Sequence, residues 1–405
     1  MTAAAWRIGF LGILCVLVCQ AENWPAFRGP RGDGTSLESF GGGWSLLWKT
    51  PLPGPGHSSP IVWQDRIVLT AFERETSLWR ALLGSRGRLL VLCFDRRSGE
   101  LRWEYEVEAD EIENVTSVNQ PASPTPVTDG ASLFVYFGSV GLLALDFDGN
   151  LLWEHRLGPF PHHMGVGSSP VLYEDRLLLN VETDGPSFLL AVDKASGRRI
   201  WQVPRKTLQA GYSTPVVWNR QIVVSGHKTV IAYSPDDGRE LWKVGGLSDY
   251  VVPTPVKGND LLYVTSSGPG GNIVMALETD GTVSWRATRG ASYIASPVLV
   301  ADLLFTVNHG AIVSCLNAFT GSLVWQQRVG SPTSYYASPV AVAGVVYIVG
   351  ESGNISVIGA RENYRVLQSH ELNERVLASP AISDGTLFVR SDQSLFAFSI
   401  VAADQ

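Results

Sequence analysis

The chain is predicted to fold as an all-β, eight-bladed β-propeller of four-stranded antiparallel blades, and three observations carry that expectation. A glycine followed four residues later by a tryptophan recurs as Gly99/Trp103, Gly149/Trp153, Gly197/Trp201, Gly238/Trp242, Gly281/Trp285 and Gly321/Trp325. In step with it runs a Ser/Thr-Pro pair: Ser59-Pro60, Thr125-Pro126, Ser169-Pro170, Thr214-Pro215, Thr254-Pro255, Ser296-Pro297, Ser338-Pro339 and Ser379-Pro380. The prolines are 66, 44, 45, 40, 42, 42 and 41 residues apart, and a period of about 40–50 residues is that of one four-stranded blade. Thirdly, only 17 % of the 405 residues are charged, while 41 are Gly, 23 Pro and 13 Trp. That mix suits many short strands joined by tight turns.

Within one repeat the strands are legible, as SPVLVA, LLFTVN, IVSCLNA and SLVWQQRV between Ser296 and Val329. Proline at the start of the first strand costs no ladder bond, because its missing N–H falls at the end of the pairing. Each Gly-x-x-x-Trp copy reads as a strand end, a polar turn with Gly at positive φ, and a further strand bearing Trp. Asp95, Asp146 and Asp193 at the turn fit Asx hydrogen bonding.

The eighth repeat stops one strand short, and a surplus Trp-bearing strand, residues 45–50, stands near the N-terminus. Trp48 lies 12 residues before Pro60, as Trp285 lies 12 before Pro297, so the Trp48 strand is expected to complete the last blade. Such closure leaves no edge between first and last repeats. Trp48, Trp103, Trp153, Trp201, Trp242, Trp285 and Trp325 are expected to dock blade on blade. Burying about 200 Å² of each at about 25 cal/mol/Å² is worth roughly 5 kcal/mol before entropy. In the seventh repeat, VIGARENYRVLQ, the motif lapses; Leu367 is expected in the Trp place, and that joint to be the softest. The first repeat carries an insertion, Phe72 to Arg88, with a short helix at Ser77–Leu83 and Trp79, Leu82 and Leu83 as a docking patch among its readings.

The expected organisation is a signal peptide at 1–21, an N-terminal segment at 22–43, the propeller at 44–400 and a tail at 401–405. Arg7 precedes the apolar run Ile8 to Cys19, too short for a membrane span, and Cys19-Gln20-Ala21 places cleavage before Glu22. Lipidation at Cys19 fits less well, since Val18 is bulky. A secreted or periplasmic monomer without a transmembrane span is therefore expected. Cys93 and Cys315 take the motif slot held elsewhere by Ala144, Ala191, Ala232 and Ala276, and read as small buried hydrophobes. The net charge of −7 argues against a nucleic-acid surface, and no nucleic-acid partner is expected.

In a propeller the loops leading into first strands share a face with the turns between second and third strands. His57, His162 and His163 fall in the former, with Tyr212, Tyr250, Tyr293, Tyr335, Tyr336 and Arg375; His227 and His309 fall in the latter. His155 and His370 belong to outer strands. The candidate binding face is this His- and Tyr-rich one. The sequence holds no CxxC, HExxH, CxxCH or GxSxG, so neither a metal site nor a catalytic residue is expected.

The copies resemble the tryptophan-docking motif of quinoprotein propellers, A-x-D-x-x-T/S-G-x-x-x-W; AVDKASGRRIW, from Ala191 to Trp201, matches it nearly throughout. The resemblance spans about residues 44–400 and implies the eight-bladed fold. It covers dehydrogenases that use pyrroloquinoline quinone (PQQ) with calcium and non-catalytic BamB-like secreted propellers. The run Asn23 to Pro30, with Gly32-Asp33-Gly34, is similar to the start of the second kind. The Cys-Cys pair typical of the dehydrogenases is missing from this sequence. The resemblance thus implies a non-catalytic binding or scaffold propeller of the cell envelope with a protein or peptide partner and no cofactor. A PQQ- and Ca-dependent dehydrogenase of alcohols or sugars is the alternative, and a carbohydrate-binding propeller the third.

Overall fold

A computed structural model describes residues 22–39, 41–75, 87–109, 112, 115–116, 118–138, 140–162, 164–205, 211–258 and 260–401. The signal segment, His163, most of the first-repeat insertion with Trp79, Leu82 and Leu83, and residues 402–405 lie outside them.

Every described element is a strand, and the strands form eight separate sheets, one per Ser/Thr-Pro repeat. Blade six shows the pattern: Val298–Val300, Leu303–Val307, Ile312–Asn317 and Leu323–Arg328 run antiparallel in chain order from the channel outward. Blade eight has Ala381–Ser383, Thr386–Arg390 and Ser394–Ser399, and its outer strand is Ser45–Pro51, antiparallel to Ser394–Ser399. The ring is closed as its strand count requires.

The outer strand of every blade carries a register shift just before the Trp slot, so one residue bulges and the next pairs inward. Trp201 faces Ala191, Trp285 faces Ala276, Trp103 faces Cys93 and Trp325 faces Cys315. The small residue leaves room beneath the indole. Both cysteines are free and buried, and burial pushes their thiols up to about 12.

Each indole then reaches the turn of the next blade. Trp48 Nε1 donates to Arg96 O (3.1 Å), Trp103 to Phe147 O (2.9 Å), Trp153 to Lys194 O (3.0 Å) and Trp201 to Pro235 O (2.9 Å). Trp242 donates to Thr279 O (2.9 Å), Trp285 to Ala318 O (2.8 Å) and Trp325 to Arg361 O (3.0 Å). The motif glycine is the floor on which the preceding Trp lies. At Gly321, φ is 69° and a Cβ would stand 2.3 Å from Trp285 Cε3, so both backbone and packing demand glycine. Asx turns support it: Asn317 Oδ1 accepts from the Phe319 and Thr320 N–H groups, each at 3.0 Å.

Blade seven departs from the expectation. Val357 pairs with Gln368 and Ile358 with Val366, so Leu367 is the bulged residue and Gln368, not Leu367, occupies the Trp slot. Counting from the lapsed motif misplaces the residue by one, because the bulge absorbs a position. Gln368 Nε2 donates to Gly42 O (2.7 Å), and Trp44 stacks between His370 (3.8 Å) and Phe398 (4.5 Å). An aromatic from the N-terminal segment thus bridges blades seven and eight.

That segment is a strap. Trp24, fully buried, forms an antiparallel bridge with Val62 of blade one, and Thr128 N of blade two donates to Pro25 O (2.9 Å). Arg28, also buried, donates to Pro297 O ahead of blade six, and burial pulls its guanidinium down to about 10. Ala341 N donates to Gly34 O (2.8 Å), and Thr35–Ser36 pairs parallel with blade seven. The N-terminal segment is thus packed on blades one, two and seven and reaches the residue ahead of blade six. Residues 24–36 cross the end of the channel opposite the candidate face and make it blind.

Candidate binding cup

The eight Ser/Thr-Pro hydroxyl residues come together around the channel. The backbone N–H of one repeat donates to the hydroxyl of the next: Ser59 to Thr125 (2.9 Å), Thr125 to Ser169 (3.0 Å) and Ser169 to Thr214 (3.0 Å). Thr254 to Ser296 (3.0 Å), Ser296 to Ser338 (2.9 Å) and Ser338 to Ser379 (2.8 Å) continue it. Where blade eight meets blade one, buried Arg390 takes over, donating through Nη1 to the Ser58 carbonyl (3.2 Å) and hydroxyl (2.7 Å). The hydroxyl before the proline is thus an inter-blade acceptor at Thr125, Ser169, Thr214, Ser296, Ser338 and Ser379, a role that proline placement alone does not reveal.

Above this ring the channel widens into a cup of about 190 Å³. All eight hydroxyl residues line it, with Phe27 of the strap, Val118, Met164, Val252, Ile294 and Leu377 as apolar walls. Val118 and Met164 are 41 % and 36 % exposed, apolar surface offered at the rim. Asn119 Nδ2 donates to Val166 O (3.1 Å), tying together the loops that bear them.

Of the expected face residues, His57, Tyr212 and Tyr336 line the cup. His57 is nearly enclosed; burial first, then the Arg390 and Arg375 charges, pull its imidazole down to about 3, so it is neutral. Burial holds the Tyr212 phenol well above its usual range, and its hydroxyl has no partner among the described residues. His309 packs edge-on between Tyr293 (5.5 Å) and Tyr336 (4.9 Å), an aromatic trio on blades six and seven. Burial lowers the pKa of His309 too. The remaining residues are placed elsewhere. Tyr335 is a core residue, its hydroxyl donating to Val329 O (3.1 Å) and accepting from Asn354 Nδ2 (2.8 Å). Arg375 is bound to Glu351 (2.9 Å) and Asp392 (3.3 Å). His227 Nδ1 is 2.9 Å from Asp249 O, Tyr250 is half-buried near it, and His162 lines a small side pocket with Tyr136, Asn180 and Glu182. The apolar rim and the strap were missed, since neither repeats with the blades; the hydroxyl ring was in view as half of a repeated dipeptide.

The described lining contains no Lys, Arg, Asp or Glu. Among the described residues, no group of three or more His, Cys, Asp or Glu converges as a metal site. A tricarboxylate quinone calls for cationic partners, and the described lining holds no Lys or Arg. No helix among the described residues is long and apolar enough to cross a membrane.

Comparison with known proteins accords with the geometry. A family model described as outer membrane protein assembly factor BamB matches residues 35–183 and 187–402. Curated protein sequences contain no match. Among solved structures, BamB from Moraxella catarrhalis superposes with a TM-score of 0.66 at 14 % identity, covering 90 % of this chain and 99 % of that one. Quinohemoprotein alcohol dehydrogenase from Comamonas testosteroni gives 0.70 at 12 %, covering 95 % and 81 %, and a europium-containing methanol dehydrogenase 0.66 at 10 %, covering 93 % and 98 %. At these identities the structures share the fold and carry no assignment of activity. With the family model matching nearly the whole ring, the chain belongs to the BamB-like family of eight-bladed propellers.

Proposed function

We propose that this chain is a non-catalytic secreted or periplasmic binding propeller of the cell envelope, presenting its blind cup to a protein or peptide partner. The carrying observation is the cup itself: closed below by the strap, uncharged among its described residues, apolar at the rim and ringed by hydroxyls. Such a site suits the end of an apolar segment that also needs hydrogen bonds. Family membership supports an assembly or scaffold role over an enzymatic one, and the described lining offers no Lys or Arg to a quinone's carboxylates.

Recovery of partners from envelope extracts tests the reading. Wild type is expected to retain a partner that a Tyr293→Ala/Tyr336→Ala variant loses; equal recovery by both removes the cup from the assignment. Titration with PQQ and calcium, followed by absorbance, tests the dehydrogenase alternative. Stoichiometric binding with dye-linked turnover of alcohols or sugars overturns the non-catalytic reading.

A further inference from the structure

Beside the cup lies a second, smaller space of about 10 Å³, room for a single nitrogen or oxygen atom. Gly167 is a wall of both. Beside Tyr136 and His162, the small space is lined by Asn180, Glu182 and Ser168, which are 1 %, 2 % and 4 % exposed. Each brings an unsatisfied atom: among the described residues, Asn180 Oδ1, Glu182 Oε2 and Ser168 Oγ have no hydrogen-bond partner. Their other atoms are committed. Glu182 Oε1 accepts from Arg205 Nε (2.7 Å), and Asn180 Nδ2 donates to Ser213 O (3.3 Å). Burying a carboxylate oxygen and an amide oxygen unpaired is costly, so the seat calls for a group with several N–H or O–H donors.

The surroundings select for charge as well as for donors. The Glu182 carboxylate is the acid at the seat, with Arg205 paired to its Oε1 and Oε2 left facing the space, and the Tyr212 and Tyr336 rings stand in the cup lining. Aromatic faces and a carboxylate favour an ammonium over a carboxylate ligand. The fold is shaped around Glu182: a Cβ on Gly211 would overlap Oε2, and one on Gly226 would come within 2.5 Å of Oε1.

We propose that this seat receives a primary ammonium group, a lysine side chain or chain amino terminus of the partner, whose apolar stem lies in the cup. The inference rests on the cup being the binding site, and adds what the site reads. Donors pass from the ammonium to Glu182 Oε2 and Asn180 Oδ1, with Ser168 Oγ as the third acceptor.

Calorimetric titration of the full chain with hexylammonium, hexanol and hexanoate at neutral pH tests it. Hexylammonium is expected to bind at least about tenfold more tightly than hexanol, the scale of one charge-assisted hydrogen bond, with hexanoate weakest. Asn180→Leu fills the seat without unpairing Arg205, and Ser168→Val serves if that variant fails to fold. In either, the ammonium advantage is expected to fall below about threefold while hexanol affinity is kept. Equal binding of hexanol and hexylammonium by wild type means a resident water in the seat; it overturns this inference and leaves the cup standing. Binding of none of the three overturns both.

Discussion

The joint between blades five and six and the joint between blades seven and eight do the same work with different parts. In the first, Trp285 faces Ala276 across its own blade, rests on Gly321 of the next and donates to Ala318 O at 2.8 Å. In the second, the Trp slot holds Gln368, bonded to Gly42 O, and the indole comes from Trp44, some 320 residues away in sequence, stacked on His370 and Phe398. The repeat supplies a local fastener; the seam borrows one. What the ring needs at each joint is a flat aromatic surface and a tied polar end, and the motif is one way of delivering both.

The comparison breaks first at its regular side. Trp285→Ala removes a nearly buried indole and its hydrogen bond, and is expected to cost about 4 kcal/mol in urea unfolding; a loss below about 1 kcal/mol means that the indoles are not what holds the blades. Trp44→Ala at the seam is expected to cost less, about 2–3 kcal/mol, because that ring is only half-buried. A larger loss than at Trp285 makes the borrowed joint the stronger one.

Acid sharpens the contrast, since blade eight is flanked by two histidines with lowered pKa values, His57 and His370, in both cases by burial first. The unfolded chain binds protons near pH 6.5, whereas His57 in the fold resists protonation until about pH 3. The stability they contribute is therefore complete above about pH 6.5 and is lost as pH falls toward 3, with about 2 kcal/mol gone by pH 5 from His57 alone. Unfolding measured across that window is expected to slope downward in wild type and to flatten in His57→Gln. The smallest effect expected is Ser296→Ala, about 1 kcal/mol, from leaving the buried Thr254 N–H without its acceptor; thermal unfolding reads it.

Much of this molecule was readable because it says the same thing eight times. Six Trp copies and eight Ser/Thr-Pro pairs locate the blades, and Trp48 completes the last one. What failed did so where repetition stops. Leu367 was misplaced because a bulge residue cannot be told from its neighbour once the Trp is gone. Tyr335 and Tyr336 were grouped, yet one enters the core and the other lines the cup; adjacent residues on extended backbone point apart. The strap has no period, so Trp24, Phe27 and Arg28 gave no sign that they close the channel. Asn180 and Glu182 stand two apart at the end of one strand, but Ser168 precedes the blade's first strand, and only folding places the three unpaired atoms around one point.

The strap also dictates an order of events. Gly34 is held by Ala341, and the 45–51 strand by residues 394–399. A chain delivered N-terminus first can seat Trp24 and Pro25 on blades one and two early, but must carry residues 34–36 and 45–51 unpaired until nearly the whole polypeptide has followed. Such distant pairing slows folding and leaves apolar surface uncovered meanwhile. Until the final blade arrives the ring is an open arc, so the cup is the last thing the chain makes.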